Sequence, residues 1–371
     1  MKLEREIQDS ISTNESLSNG SNIMAIKFNH NHMLGALFSW IVACAAISFS
    51  QNRKFFIAED DDWRLVPNRA GGRRNWHFYF DSFPSKKSSG LIRLISLPRK
   101  IFKRYRYKLF SGFAKFYIKI FSQSRLFNNF SSEITYIRLG DDLEKKLGSP
   151  FSSGSEWAQI PEFIDKIFSN YNFNQSERNS IWKSYLAREI FRPSAIYLQN
   201  YKDHRINLPQ KYIACHCRMG DKIAGKRKEA DHVATEIYLQ AVIEASKNVG
   251  TNNIFLLSDS DDFISNFIAA DKLMGSHLNI LFDKTEIRHD GFPSKLMDGI
   301  LPNDDSVVLN EMTTALKNLI IMAESDILVG SKASWFFQVA HRLRVTSEDL
   351  SGSTVLVQSG KEIWGSDYWH F

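Results

Sequence analysis

Cysteine is scarce. The 371 residues hold three, Cys44, Cys215 and Cys217, too few for the disulfide framework of a small secreted domain. Cys215 and Cys217 stand two apart on a run that reads as a strand, so they point the same way and miss bridge geometry. A reducing compartment fits this usage best. Cys-His-Cys over 215–217 offers zinc-type ligands, but no second cluster of cysteine or histidine completes a site, and no metal is expected. Internal repeats are absent as well, which excludes a repeat array. With 43% hydrophobic and 13% aromatic residues the chain is too apolar for a solvated coil. Its length allows two ordinary domains, each with a core.

Long apolar runs are nearly missing too. The one candidate, 33–49, sits at the short limit of a bilayer span, and it follows a polar Asn-His-Asn-His sequence instead of a basic anchor. As a Golgi type II anchor it would be followed by the stem and lumenal cysteines of a secreted enzyme, which this chain lacks. The other reading is a buried helix at 34–48 between strands at 24–28 and 54–58, one βαβ unit. That reading is preferred, and with it a cytoplasmic protein. Residues 1–24 are polar, rich in Ser, Asn and Glu, and read as a disordered tail.

Acidic residues are absent from 82 to 132, where twelve cations from Lys86 to Arg125 stand. Within this stretch Phe102, Tyr105, Leu109, Phe113, Phe116 and Ile120 recur every three or four residues, giving one apolar and one basic helical face. Segment 86–125 is then either a core helix with a basic outer face or a peripheral contact with an anionic membrane surface. Nucleic acid ranks lower, because the apolar residues form a stripe and no nucleic-acid motif accompanies them. The acidic run 58–62 reads as a solvated loop or as part of an acceptor site. Helices are expected at 160–168 and 176–191, the second ending before Pro193. The expected division is an amino-terminal domain over 25–205 and a carboxyl-terminal domain over 206–371.

After Pro209 strands are expected at 212–217, 253–257, 279–282, 327–330 and 354–357. Helices are expected at 235–246, 263–274, 310–323 and 334–343. That alternation implies an α/β fold with a parallel sheet covered on both faces, whose ligands bind at the strand ends. Three strand ends carry charge or hydroxyls: His216, Arg218, Asp221 and Lys222; Ser258, Asp259, Ser260 and Asp261; Ser331, Lys332 and Ser334. The guanidinium of Arg218 matches a phosphate bidentately and Lys222 adds a mobile charge, while the last group opens a helix whose amides favour an anion. Together they suggest a nucleoside diphosphate. Each group also has a plainer use: Asp259 or Asp261, and Ser331 or Ser334, can cap the following helix, and His216 can be a satisfied core histidine. Asp259-Ser260-Asp261 also has the Asp-x-Asp spacing that holds manganese in some glycosyltransferases, but fixed cations perform the same electrostatic task without a metal.

His216-Cys217-Arg218-Met219-Gly220-Asp221-Lys222 resembles the His-x-Arg-Arg-x-Asp-Lys motif of the α1,6-fucosyltransferase superfamily, which includes nodulation-factor and protein O-fucosyltransferases. The strand 254–259 and the segment 316–343, with Ser325 to Gly330 and Ala333-Ser334, look like the later family motifs, and 32–63 is similar to the first strand-loop-helix-strand. The resemblance implies a GT-B glycosyltransferase, two Rossmann-like domains facing across a cleft. It implies GDP-fucose as nucleotide-sugar donor, inversion, a glycan or glycolipid acceptor, and no cofactor or metal. By position, Arg218 is the β-phosphate ligand, Asp221 and Lys222 support the donor site, His216 contacts the nucleotide, Asp259 orders the nucleotide loop with Ser258 beside it in the donor site, and Ser331 and Ser334 contact the diphosphate. Four departures stand out. Met219 replaces the second arginine, Lys226 stands where a carboxylate is usual, Asn318 occupies the region of a guanine-reading aspartate, and the amino-terminal loop has only Gly35. Glu229 and Asp231 are the nearby carboxylates for a general base. A transferase of another nucleotide sugar, and a non-catalytic sugar- or membrane-binding protein of the same fold, remain as alternatives.

Overall fold

Parallel strands and helices build both halves of the chain in the computed structural model. It describes residues 2–17, 23–27, 34–51, 53–57, 79–80, 134–138, 160–195, 197–198, 208–219, 223, 232–286, 288, 305–331 and 334–357. The first half holds α1 (Lys2–Leu17), β1 (Ile23–Lys27), α2 (Leu34–Ser50), β2 (Lys54–Ile57), β3 (Ile134–Arg138), α3 (Glu162–Phe168) and α4 (Gln175–Ile190). β1 is central, parallel to β2 on one side and β3 on the other. The βαβ unit read from the sequence is therefore present. The start of α4 is set by a capping box: Asn174 accepts from the Glu177 amide at 3.0 Å, and the Glu177 carboxylate accepts from the Asn174 amide at 2.7 Å.

The amino terminus differs from the tail expected there, because Lys2–Leu17 are helical. Leu3, Ile7 and Ile11 recur every fourth residue and are buried, α1 packs on α3, and Glu4 pairs with Arg188 of α4 at 2.5 Å. An apolar stripe too sparse to stand out among polar residues still docks a helix when a partner face is waiting. The basic segment 86–125 and the acidic run 58–62 lie outside the described residues.

The second half continues with β4 (Ile213–Cys217), α5 (Thr235–Val249), β5 (Asn253–Ser258), α6 (Asp261–Met274), β6 (Asn279–Leu281), α7 (Asp305–Glu324), β7 (Ile327–Gly330), α8 (Trp335–Arg344) and β8 (Thr354–Leu356). The sheet is wholly parallel, in the order β6-β5-β4-β7-β8. The chain moves outward from β4 through β5 to β6, then returns to β7 beside β4. That reversal makes the β4/β7 boundary the topological switch point, where an open α/β sheet leaves a crevice at its strand ends. Gly250 and Gly275, at φ +70° and +63°, end α5 and α6 in the left-handed conformation that glycine adopts at no steric cost.

β4 is buried along its whole length and alternates between two cores. Ile213, Cys215 and Cys217 join the core that contains residues of α5 and α6, and Ala214 joins the one that contains residues of α7 and α8. The thiols are accordingly buried and free, with burial pushing all three upward and away from reactivity. The second core continues into the first half, since α8 packs on α2 and α4 as well as on α7. α2 is buried continuously from Ile41 to Phe49, as a helix that is apolar all round must be. Among the described residues no helix is long and apolar enough to cross a membrane.

Candidate functional site

Register brings the charged strand ends together. His216 lies opposite Leu257 of β5 and Gly330 of β7, and Cys217 opposite Ser258. Arg218 and Asp259 therefore leave neighbouring strands at the same edge. The Arg218 guanidinium donates to Oδ2 of Asp259, and Oδ1 of Asp259 accepts from the Met219 amide at 2.7 Å. Ser260, not Asp259 or Asp261, caps α6, its hydroxyl accepting from the Phe263 amide at 3.3 Å. Ser258 is buried and its hydroxyl accepts from the Ser260 amide at 3.2 Å, which closes the turn between strand and helix.

On the other side of the switch point, an added Cβ at Gly330 would lie 2.5 Å from the Phe337 ring and 2.8 Å from the His216 carbonyl oxygen. Glycine is what lets α8 close onto the strand ends. Ser334 caps α8, accepting from the Phe337 amide at 3.4 Å, so its capping use is realised, and Ser331 directly follows β7. The first turn of α8 thus opens at the switch point, where helix amides and the helix dipole favour an anion. His216 is buried between these elements, 5.9 Å from the Phe336 ring and 6.3 Å from the Phe337 ring. Burial, and then the Arg218 charge, push it down to about 3, so it is a neutral imidazole at physiological pH. Among the described residues its buried Nδ1 has no hydrogen-bond partner beyond its own residue.

Asn318 sits in a buried network that follows β6 and reaches Asp261, which the residue pattern did not indicate. Its Nδ2 donates to Glu286 at 3.0 Å, and its buried Oδ1 has no partner among the described residues. Burial raises the Glu286 carboxyl, against the pull of Lys317 and Arg288. Arg288 donates to the Asp283 carbonyl at 2.6 Å and to Asp261 at 3.2 Å, while Lys317 pairs with the Asp283 carboxylate. The available signal was on α7, where Val308, Met312, Leu316 and Leu319 mark a buried face that reaches to Lys317 and Asn318. Asp221, Lys222, Glu229 and Asp231 lie outside the described residues. Among the described residues no group of three or more histidine, cysteine or acidic side chains could hold a metal ion.

No family model and no curated protein matches the sequence. Among solved structures the chain is similar to POFUT1 in complex with GDP-fucose, at 12% identity and TM-score 0.41, over 91% of this chain and 98% of that one. It is similar to a mutant of Arabidopsis thaliana FUT1 in complex with GDP, at 9% identity and TM-score 0.42, over 92% and 76%. The fucosyltransferase NodZ from Bradyrhizobium matches at 11% identity and TM-score 0.39, over 86% and 93%. At these scores, what the chain can do is read from its own residues.

Proposed function

We propose that this protein is an inverting glycosyltransferase of GT-B architecture that moves fucose from GDP-fucose to a hydroxyl of a glycan or glycolipid, without a metal. The observation that carries the reading is the arrangement at the switch point: Arg218 leaves the end of β4, and α8 opens after the neighbouring strand β7. A diphosphate seated there meets a guanidinium from one side and the positive end of a helix from the other. As the glycosidic bond to the diphosphate breaks, negative charge builds on the leaving phosphate, and a cation already in place lowers that barrier. Lys222 adds charge to the same motif, and Glu229 or Asp231 takes the proton of the acceptor hydroxyl. His216, held neutral, serves the nucleotide by hydrogen bonding. The motif resemblance supports fucose and guanine over other sugars and bases.

Arg218→Ala tests this directly. Transfer from GDP-fucose, followed by release of GDP, should fall by about a hundredfold or more, equivalent to roughly 3 kcal/mol of barrier. Undiminished transfer by the variant would remove Arg218 from the mechanism. Asn318, an amide where the resemblance leads one to expect an acid, favours keeping the base open as a second reading. A thermal-shift comparison of GDP, UDP and CDP decides it, since stabilisation by UDP alone excludes the guanine donor.

A further inference from the structure

Asp259 has three conceivable uses: a helix cap, a ligand of the donor, or half of a metal-holding Asp-x-Asp pair. The contacts argue against each. Ser260 does the capping at 3.3 Å. Asp261, the other acid of the pair, is directed to Arg288 at 3.2 Å and its side chain is 68% exposed. A carboxylate facing a diphosphate would repel it. Both oxygens of Asp259 instead serve the end of β4, Oδ2 accepting from the Arg218 guanidinium and Oδ1 from the Met219 amide at 2.7 Å. One rigid group therefore holds both the arginine side chain and the backbone on which it is mounted. Parallel register, with Cys217 opposite Ser258, fixes the separation of those two mounts.

We propose that Asp259 is a positioning residue that acts on the reaction only through Arg218. The inference rests on the donor reading of Arg218 given above. A long side chain has several rotamers to lose, and a carboxylate that has already ordered it means less is lost when charge develops on the leaving group. The same carboxylate stands one side chain away from the bound diphosphate and weakens ground-state binding by repulsion. Its removal therefore has opposite consequences for the two kinetic constants: kcat falls and the KM for donor does not rise. A purely structural residue would lower thermal stability without that split, and a donor ligand would raise KM.

The experiment is a double-mutant cycle on GDP-fucose turnover with wild type, Asp259→Asn, Arg218→Ala and the double variant, with Tm measured on all four. Asparagine keeps the shape and an oxygen for the Met219 amide. Asp259→Asn is expected to lower kcat by about tenfold with an unchanged or lower KM. In the Arg218→Ala background the same change should alter kcat by less than about twofold. An equal loss in both backgrounds overturns the proposal, as does a raised KM with kcat unchanged. So does no effect at all. A wild-type enzyme that turns over GDP-fucose and shows an additive cycle loses only this inference, whereas a wild type without turnover loses the donor reading itself.

Discussion

Gly330 sets how closely the last helix can approach the strand ends. A methyl group there would meet the Phe337 ring at 2.5 Å and the His216 carbonyl at 2.8 Å, and the ring cannot retreat because Phe337 is fully buried. Gly330→Ala should therefore cost about 1–3 kcal/mol by overpacking, seen as a lower midpoint in chemical denaturation. An unchanged midpoint would mean that α8 shifts freely. At this scale the residue pattern located Arg218, Asp259, Ser331 and Ser334 correctly at strand ends, because short charged or hydroxylated groups after apolar runs are a local signal. It did not assign Asp259 to Arg218 over the helix cap, because both uses need only an acid at that place in the chain. The register of β4 with β5 decides between them.

α7 illustrates an element that was legible while its content was not. Its apolar period marked a helix, and the helix runs Asp305–Glu324, but Lys317 on its buried face needs an acid, which the loop after β6 supplies. Asp283 is that acid. Burial raises its carboxyl, yet hydrogen bonds from Lys317 and Thr285 outweigh this and the net shift is downward. Lys317 is 3% and Asp283 8% exposed, so removing the lysine alone strands a charge. Lys317→Met is expected to lose about 3 kcal/mol of folding stability, and adding Asp283→Leu should restore much of it. Equal stability of the single variant and wild type in urea would contradict the pairing. α2, by contrast, needed no partner to be recognised as buried, since an apolar run too short for an easy bilayer span has few other destinations.

For the molecule as a whole, α8 and α4 join the two halves, and two histidines make that body sensitive to acid. Burial pushes both His216 and His341 down to about 3, aided at His216 by Arg218 and at His341 by Arg342 and Arg344 against Asp349. Their ordinary value is 6.5, so on acidification the unfolded chain takes up protons before the native one. Stability contributed by the neutral rings is complete above pH 6.5 and is lost as pH falls towards 3, with a limiting slope of about 1.4 kcal/mol per pH unit for each ring. His341→Gln should make the decline between pH 6.5 and pH 5 shallower, measured by urea denaturation at each pH. A parallel decline would assign the loss to other groups. Arg188 adds to the same cohesion, donating to Glu4 of α1 at 2.5 Å and to the Val345 carbonyl at the end of α8.

The amino-acid sequence by itself determined which stretches are strands and helices after Pro209, that both flanks of the sheet are covered, and that charge gathers where strands end. Those properties follow from periodicity and from residues within a few positions of one another. Only the tertiary structure decided that β4 and β7 are neighbours at a reversal of strand order, that α1 is a docked helix, and that Asp259 faces Arg218. Each of these is a contact between distant parts of the chain, selected by sheet register and by the packing of opposing faces, and no local pattern encodes it.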